Sequence, residues 1–352
     1  MSDAPRFLTE IGRRVEAKVA RLLDDEIERW GGVEAELTEP LHSLRSLVLA
    51  GGKRLRPAFC YWGFVGCGGD PEDEAVVTAG AAFELLHAFA LLHDDVMDGS
   101  ATRRGNRTAH LVHADRHDQG RWMGEARRFG EGVAILVGDM AFVYADRLMS
   151  GIPAPALELW HELRTELNVG QYLDIVGTAR GVRDLPSAER ISRYKSGKYT
   201  VERPLHLGAA LSGTPDLGRR LSQLSAYGIP LGDAFQLRDD VLGAFGDESV
   251  TGKPVGDDLI EGKPTPLLAI AVGRASVAQR DVLALVGRPA LAADEIAAIQ
   301  AVLIETGALD ELEASIAAMA RESRAAIEAT DLAPGTVQAL GELVDYVAWR
   351  DR

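Results

Sequence analysis

The chain has 352 residues, 46% hydrophobic and 26% charged, a balance that excludes wholesale disorder, collagen-like repeats and low-complexity assemblies. Its 38 basic and 53 acidic side chains leave a net charge of −15, which excludes non-specific nucleic-acid binding by phosphate neutralisation. An anionic substrate therefore needs a local basic cluster or metal ions. The first predicted element is a charged, amphipathic helix at about 5–30; with no uninterrupted apolar run there, no signal peptide is expected and a cytoplasmic location is. Irregular chain follows at 31–39, 50–57 and 66–72. Cys60 and Cys67 lack the Cys-x-x-Cys spacing of zinc or redox sites and read as small core side chains. Residues 75–98, rich in Ala, Leu, Phe and Glu with one glycine and no proline, predict a buried helix. Glu84 and His87 interrupt its apolar window, which argues against a membrane span. The arginine-rich stretch 99–130 reads as a long loop with a short helix near 108–114, and 110–132 as an exposed insertion. Helices are predicted at 131–150, 154–177, 216–246, 292–306, 307–330 and 335–350, with irregular chain at 178–186, 247–266 and 286–290. No set of alternating β-branched runs suggests a sheet, and no linker composition divides the chain. The expectation is an all-α fold in one domain, residues 1–352, with 268–352 serving packing alone.

Two acidic helix ends stand out. In Leu91-Leu92-His93-Asp94-Asp95-Val96-Met97-Asp98, Asp94 and Asp98 share a helical face about 6 Å apart along the axis. Like charges at that spacing repel, and the macrodipole disfavours them at a C-terminus. A hard divalent cation such as magnesium resolves both problems. The second end, Phe235-Gln236-Leu237-Arg238-Asp239-Asp240, has Gly243 where a third acid would fall. Each motif alone is as consistent with a solvated acidic end. Two such ends in one bundle allow facing carboxylates to hold metal ions. Cations accompany them: Lys53, Arg54 and Arg56 on a glycine turn, Arg103 and Arg104 after the first motif, Lys195 and Lys198 around Ser196-Gly197, and Lys253 and Lys263 beyond the second motif. Arginine forks and lysine point charges suit two polyphosphates, one held through metal and one directly.

These motifs, in this order, resemble the trans-isoprenyl diphosphate synthases of the polyprenyl synthetase family. The resemblance runs from GGKRLRP at Gly51, through HAFALLHDDVMDGSATRRG at His87, GQYLDI at Gly170, YKSGKYT at Tyr194 and GDAFQLRDDVLGAFGD at Gly232, to EGKPTPLL at Glu261. It implies an isoprenoid synthase-type helical bundle with a central cavity. The implied enzyme condenses isopentenyl diphosphate with an allylic diphosphate and releases diphosphate. By the same resemblance Asp94, Asp98 and Asp239 hold magnesium, three ions when diphosphate is bound, with Asp95 and Asp240 in support. Arg103, Lys195, Ser196, Gln236, Lys253 and Lys263 match contacts to the allylic substrate. Lys53, Arg56, His87 and Arg104 match contacts to isopentenyl diphosphate. The loop 247–266 is the expected lid, and a homodimer is implied.

Product length is expected to depend on residues upstream of Asp94. Ala90 leaves room one turn below the acids, Phe89 lies at the wall, and Phe83 lies about 16 Å down the axis on nearly the same face. This pattern favours a twenty-carbon product, geranylgeranyl diphosphate, over fifteen-carbon farnesyl diphosphate. Readings in other classes are a class I terpene cyclase, which needs no second diphosphate site, a non-catalytic synthase subunit, and a helical scaffold. The retained acid pairs and basic set argue against all three.

Overall fold

The computed structural model describes residues 4–246, 256–288 and 290–350. Its regular structure is helical apart from one hairpin of two two-residue strands, as the composition predicts. Contacts cluster into two units, one formed by Arg6–Tyr61 and Asp70–Pro153, the other by Met1–Pro5, Trp62–Gly69 and Ala154–Arg352.

In the first unit, α1 (Arg6–Gly31) buries Leu8, Ile11, Val15, Val19 and Leu23, a stripe spaced by three and four. Each such side chain contributes about 1.5–3 kcal/mol by leaving water. The stripe packs against α2 (Glu39–Leu49) and α4 (Glu74–Asp98). Gly80 permits the close approach, because a Cβ there would lie 2.8 Å from Val15 Cγ2. Asp73 starts α4 by accepting from the Ala75 N–H at 2.8 Å, and Gly99, with φ 68°, ends it in the left-handed conformation that favours glycine. By length and composition α4 could cross a membrane, but 67% of its most apolar window is buried inside the protein.

Beyond Gly99 the chain departs from the expected loop. Strands β1 (Thr102–Arg103) and β2 (Asn106–Arg107) form a hairpin, and helices α5 (Ala109–Gly120) and α6 (Ala126–Leu148) follow. Most of 110–132 is therefore helix rather than loop, with 121–125 left as an exposed connection between the two helices. Helix α5 turns His110, His113 and His117 inward, spaced by three and four, and each is buried. Histidine reads as polar in a periodicity search, so this buried face escaped detection. Two of its ring nitrogens are served, His113 Nε2 lying 2.9 Å from Ser43 Oγ and His117 Nε2 3.1 Å from the Met123 carbonyl, while His110 Nδ1 and His117 Nδ1 have no hydrogen-bond partner among the described residues. Helices α5 and α6 touch backbone to side, since a Cβ on Gly130 would sit 2.0 Å from the His110 carbonyl oxygen.

Helix α3 (Leu55–Gly66) starts in the first unit and its last residues belong to the second. The second unit continues through α7 (Ala154–Arg180), α8 (Leu185–Ser192), a ten-residue π-helical stretch Arg193–Glu202, α9 (Arg203–Leu211) and α10 (Leu217–Phe245). The wide π turn is admitted by glycines on its neighbours. A Cβ on Gly170 of α7 would meet the Lys195 amide nitrogen at 2.3 Å, and one on Gly232 of α10 would meet the Gly197 carbonyl oxygen at 2.6 Å. Within 247–266, residues 247–255 lie outside the described chain and Asp257–Glu261 is a short helix. The helices Pro266–Arg274, Val277–Leu283, Ala293–Glu305, Ala308–Glu328 and Pro334–Ala348 complete the unit. Short helices such as α2, α8 and α9 were not expected, because fewer than about 12 residues carry too few turns for a periodic signal.

Candidate active site

The first acidic motif closes α4. Asp95 is buried, while Asp94 and Asp98 are half-buried. The chain reverses through Arg104 and Gly105, both at positive φ (53° and 73°), a two-residue turn whose twist suits a hairpin. That reversal sends Arg103 back onto the helix end. Its Nε donates to Asp95 Oδ1 at 2.9 Å, its Nη2 reaches the same oxygen, and Asp94 Oδ2 lies 3.9 Å away. The first motif thus carries its own counter-charge.

Arg104 turns the other way and donates to the carbonyls of Gly51 and Leu47. Gly52 must be a glycine-like position twice over: its φ is 146°, and a Cβ would lie 3.1 Å from Arg104 Nη2. Arg54, also left-handed at φ 50°, is buried and donates to Glu16 at 2.9 Å, to Glu84 and to the Val48 carbonyl at 2.7 Å. These bonds over-determine a backbone conformation that a non-glycine residue adopts only at a cost. Lys53, half-buried, lies within the glycine turn that they fix. Burial, followed by the charges of Arg56, Arg104, Arg103 and Arg54, holds the His87 imidazole well below its usual pKa. At neutral pH His87 is uncharged amid arginines from two distant parts of the sequence. The structure therefore brings together Arg56, His87, Arg103 and Arg104.

The second unit builds its site from α7, the π stretch and α10. Lys195 Nζ donates to the buried Asp174 carboxylate at 2.6 Å. Lys198 and Arg203 both donate to Glu166, Arg203 as a fork at 2.6 and 2.7 Å. Burial works to raise Glu166, but these two cations outweigh it and hold the carboxyl below its usual range. Ser196 is half-buried in the same π stretch. On α10, Gln236 Nε2 donates to Asp240 Oδ1 at 2.8 Å, and Arg350 binds both Asp239 and the Phe235 carbonyl. Lys263 pairs with Asp258 at 3.3 Å and with Glu261. Lys253 lies outside the described residues.

The donors of both motifs are hard carboxylate oxygens, which fit magnesium. Asp240 is the sharpest indication: it is 3% exposed, and its Oδ2 has no hydrogen-bond partner among the described residues. Burial pushes its carboxyl well above the usual range, and the nearby charges of Asp258 and Asp239 add to the shift. A cation at this helix end relieves that cost. Among the described residues no three His, Cys, Asp or Glu side chains already encircle a metal position. Magnesium commonly takes one or two carboxylates and completes its shell with water and substrate phosphate, so a carboxylate pair is a sufficient protein share.

The proposed length-setting residues all lie on α4. Phe83 is fully buried, and Ala90 and Phe89 are half-buried. The Phe89 ring sits 4.6 Å from that of His93 and 4.8 Å from that of Phe142, centroid to centroid.

A family model for polyprenyl synthetase matches residues 36–303, more than half of the chain. The chain belongs to the polyprenyl synthetase family. Membership makes it a prenyltransferase of the prenyl diphosphate synthase type. Among relatives, the geranylfarnesyl diphosphate synthase of Aeropyrum pernix is 30% identical over 86% of this chain and 92% of its own length. The geranylgeranyl diphosphate synthase of Mycobacterium tuberculosis is 35% identical over 68% of this chain and 64% of its own. The crystal structure of Corynebacterium glutamicum geranylgeranyl pyrophosphate synthase, complexed with isoprenyl diphosphate and magnesium, superposes with a TM-score of 0.92 at 36% identity, covering 97% of this chain and 99% of that one.

Sequence reasoning left several of these residues without a role. Glu84 served only to argue against a membrane span, yet it is the buried partner of Arg54. Asp174 stood inside a quoted motif without a function. Arg350 corrects the expectation that 268–352 only packs, because its guanidinium reaches the second motif. Nothing local in the sequence near position 350 signals that reach.

Proposed function

We propose that the protein condenses isopentenyl diphosphate with an allylic diphosphate in a magnesium-dependent reaction, with geranylgeranyl diphosphate as its main product. The observation that carries this reading is the grouping around α4. One helix bears His87 within an arginine cluster and, two turns on, the acids Asp94 and Asp98. In a chain of net charge −15, gathered arginines point to a polyanion bound directly.

In this reading Lys53, Arg56 and Arg104 bind the diphosphate of isopentenyl diphosphate, with neutral His87 as a hydrogen-bond partner. Lys195 and Lys263, and Lys253 beyond the described residues, bind the allylic diphosphate, together with Ser196 and Gln236. Asp94, Asp98 and Asp239 would hold magnesium, three ions with diphosphate bound, with Asp95 and Asp240 in support, while Arg103 contacts the allylic diphosphate. Magnesium, when bound, neutralises charge on the departing diphosphate. The lysines do the same as the allylic carbon–oxygen bond breaks and its electron pair leaves with diphosphate. The double bond of isopentenyl diphosphate then forms the new carbon–carbon bond, and the released diphosphate takes the proton. Apolar α4 side chains exclude water, which would otherwise capture the cation.

Ala90 beside a Phe89 ring wedged between His93 and Phe142 supports a tunnel that admits three isoprene units and stops a fourth extension beyond twenty carbons. Geranylgeranyl diphosphate synthases among the relatives support this length. A single catalytic domain, a homodimeric assembly and a cytoplasmic location complete the proposal. Product analysis of the purified protein with magnesium, isopentenyl diphosphate and each allylic primer tests it. A twenty-carbon diphosphate is expected, and Phe89→Ala should lengthen it. A fifteen-carbon product, or no lengthening, overturns the assignment of Ala90 and Phe89 and leaves the chemistry standing.

A further inference from the structure

Arg54 stands between Lys53 and Arg56, two residues assigned to isopentenyl diphosphate, yet its side chain turns inward. It is 5% exposed, and its stem passes Gly12 of α1, where a Cβ would lie 3.2 Å from Arg54 Cγ. Its guanidinium ties three helices together. Nε donates to Glu16 of α1 at 2.9 Å, Nη2 to the Val48 carbonyl in the last turn of α2 at 2.7 Å, and Nη1 to Glu84 of α4. Burial works against this charge, but Glu84 and Glu16 outweigh it and hold the guanidinium above its ordinary pKa. The backbone is equally committed. Arg54 has φ 50°, and its carbonyl accepts from the Ala58 N–H at 3.1 Å, so this residue ends the glycine turn and starts α3. Glu84 is 5% exposed and lies one turn before His87 on α4. One buried pair thus joins the turn that carries Lys53, the helix start that carries Arg56 and the helix that carries His87.

We propose that Arg54 and Glu84 are positioning residues for isopentenyl diphosphate: the pair fixes Lys53 and Arg56 relative to His87 and touches no substrate itself. This deepens the reading above and rests on its assignment of Lys53, Arg56 and His87. A left-handed backbone at a non-glycine residue is costly, and the three-way grip of the fork holds it in place. Lysine, a point charge on a flexible stem, cannot span acceptors on three helices as the planar fork does. A buried ion pair adds little stability over apolar packing of similar volume, so what this pair contributes is one fixed geometry. Because the pair meets the turn and α4 alone among the substrate-binding elements, loosening it should weaken one substrate and spare the other.

The experiment is steady-state kinetics with each substrate varied in turn, with melting temperature recorded alongside. Arg54→Lys keeps the charge and loses the fork. It should raise KM for isopentenyl diphosphate by about 10–100-fold, the scale of a displacement of roughly 1 Å, and leave kcat and the allylic KM near wild type. Glu84→Gln keeps an acceptor oxygen towards Arg54 and should raise that KM less. The double variant Arg54→Met with Glu84→Met replaces the pair by apolar groups of similar length. It should melt close to wild type yet keep the raised KM, which a purely structural role would not predict. A double variant with wild-type KM for isopentenyl diphosphate overturns the inference alone, and so does an Arg54→Lys variant whose allylic KM rises as much. Lys53→Ala with an unchanged KM for isopentenyl diphosphate contradicts the reading beneath, and the inference falls with it.

Discussion

The two acidic helix ends are spelled almost alike and are built in opposite ways. In the first unit cations are in excess: Asp95 is gripped by Arg103, Glu84 by Arg54, and His87 stays neutral among arginines. In the second unit, Arg350 answers Asp239 and Lys263 answers Asp258, but the buried Asp240 accepts from the Gln236 amide on one oxygen and has no hydrogen-bond partner for the other among the described residues. A shared Asp-Asp motif therefore does not imply a shared electrostatic state. The buried acid of the first end is met by an arginine of its own unit, whereas the buried acid of the second keeps one oxygen without a hydrogen-bond partner among the described residues.

The largest effect should come from removing a balancing acid in the cation-rich unit. Glu84→Ala leaves the buried Arg54 with the half-exposed Glu16 as its remaining carboxylate, and should cost about 3–5 kcal/mol in urea unfolding. A loss below about 1 kcal/mol would mean that Arg54 is hydrated and the network adds little. Next come the acids assigned to metal. Asp94→Asn and Asp239→Asn should each lower kcat by about 100-fold or more with little change in melting temperature. If only one does so, the two ends are not partners in one reaction.

A pH series separates the units further. Burial, the dominant cause, lowers His206 of the second unit to about 4. Its folded pKa is depressed, so the unfolded chain binds the proton first as pH falls below about 6.5. Stability is then lost between about pH 6.5 and about 4, and should amount to about 2 kcal/mol at pH 5. The variant His206→Gln should flatten that slope in urea melts; an unchanged slope removes His206 from the account. The smallest effect is the most discriminating. Without magnesium, Asp95→Asn should destabilise by about 1 kcal/mol, because it weakens the grip of Arg103. Asp240→Asn should stabilise by a similar amount, because it replaces a carboxyl whose charged form burial disfavours with a neutral amide. Two shifts of the same sign would break the comparison.

Much of this was legible in the sequence, and the exceptions have physical causes. Long helices such as α4, α7 and α10 announce themselves through composition and period, because many turns average out local noise. Helix α5 hid because its buried face is written in histidine. The site residues carried by contiguous motifs were legible because catalysis ties them to short spacings. The residues that brace them were not: Glu84 lies 30 positions from Arg54, and Arg350 lies 111 from Asp239. Gly243 was visible as a departure, but the Asp258 carboxylate that lies against it comes from a separate helix.

The most direct test of the central claim is the dependence of diphosphate release on both substrates together. Purified protein would be given magnesium with an allylic diphosphate alone, with isopentenyl diphosphate alone, and with both. The account predicts release only with both, one diphosphate for each isoprene unit added, and none when magnesium is chelated. Rapid release from the allylic diphosphate alone would contradict it and point to a cyclase.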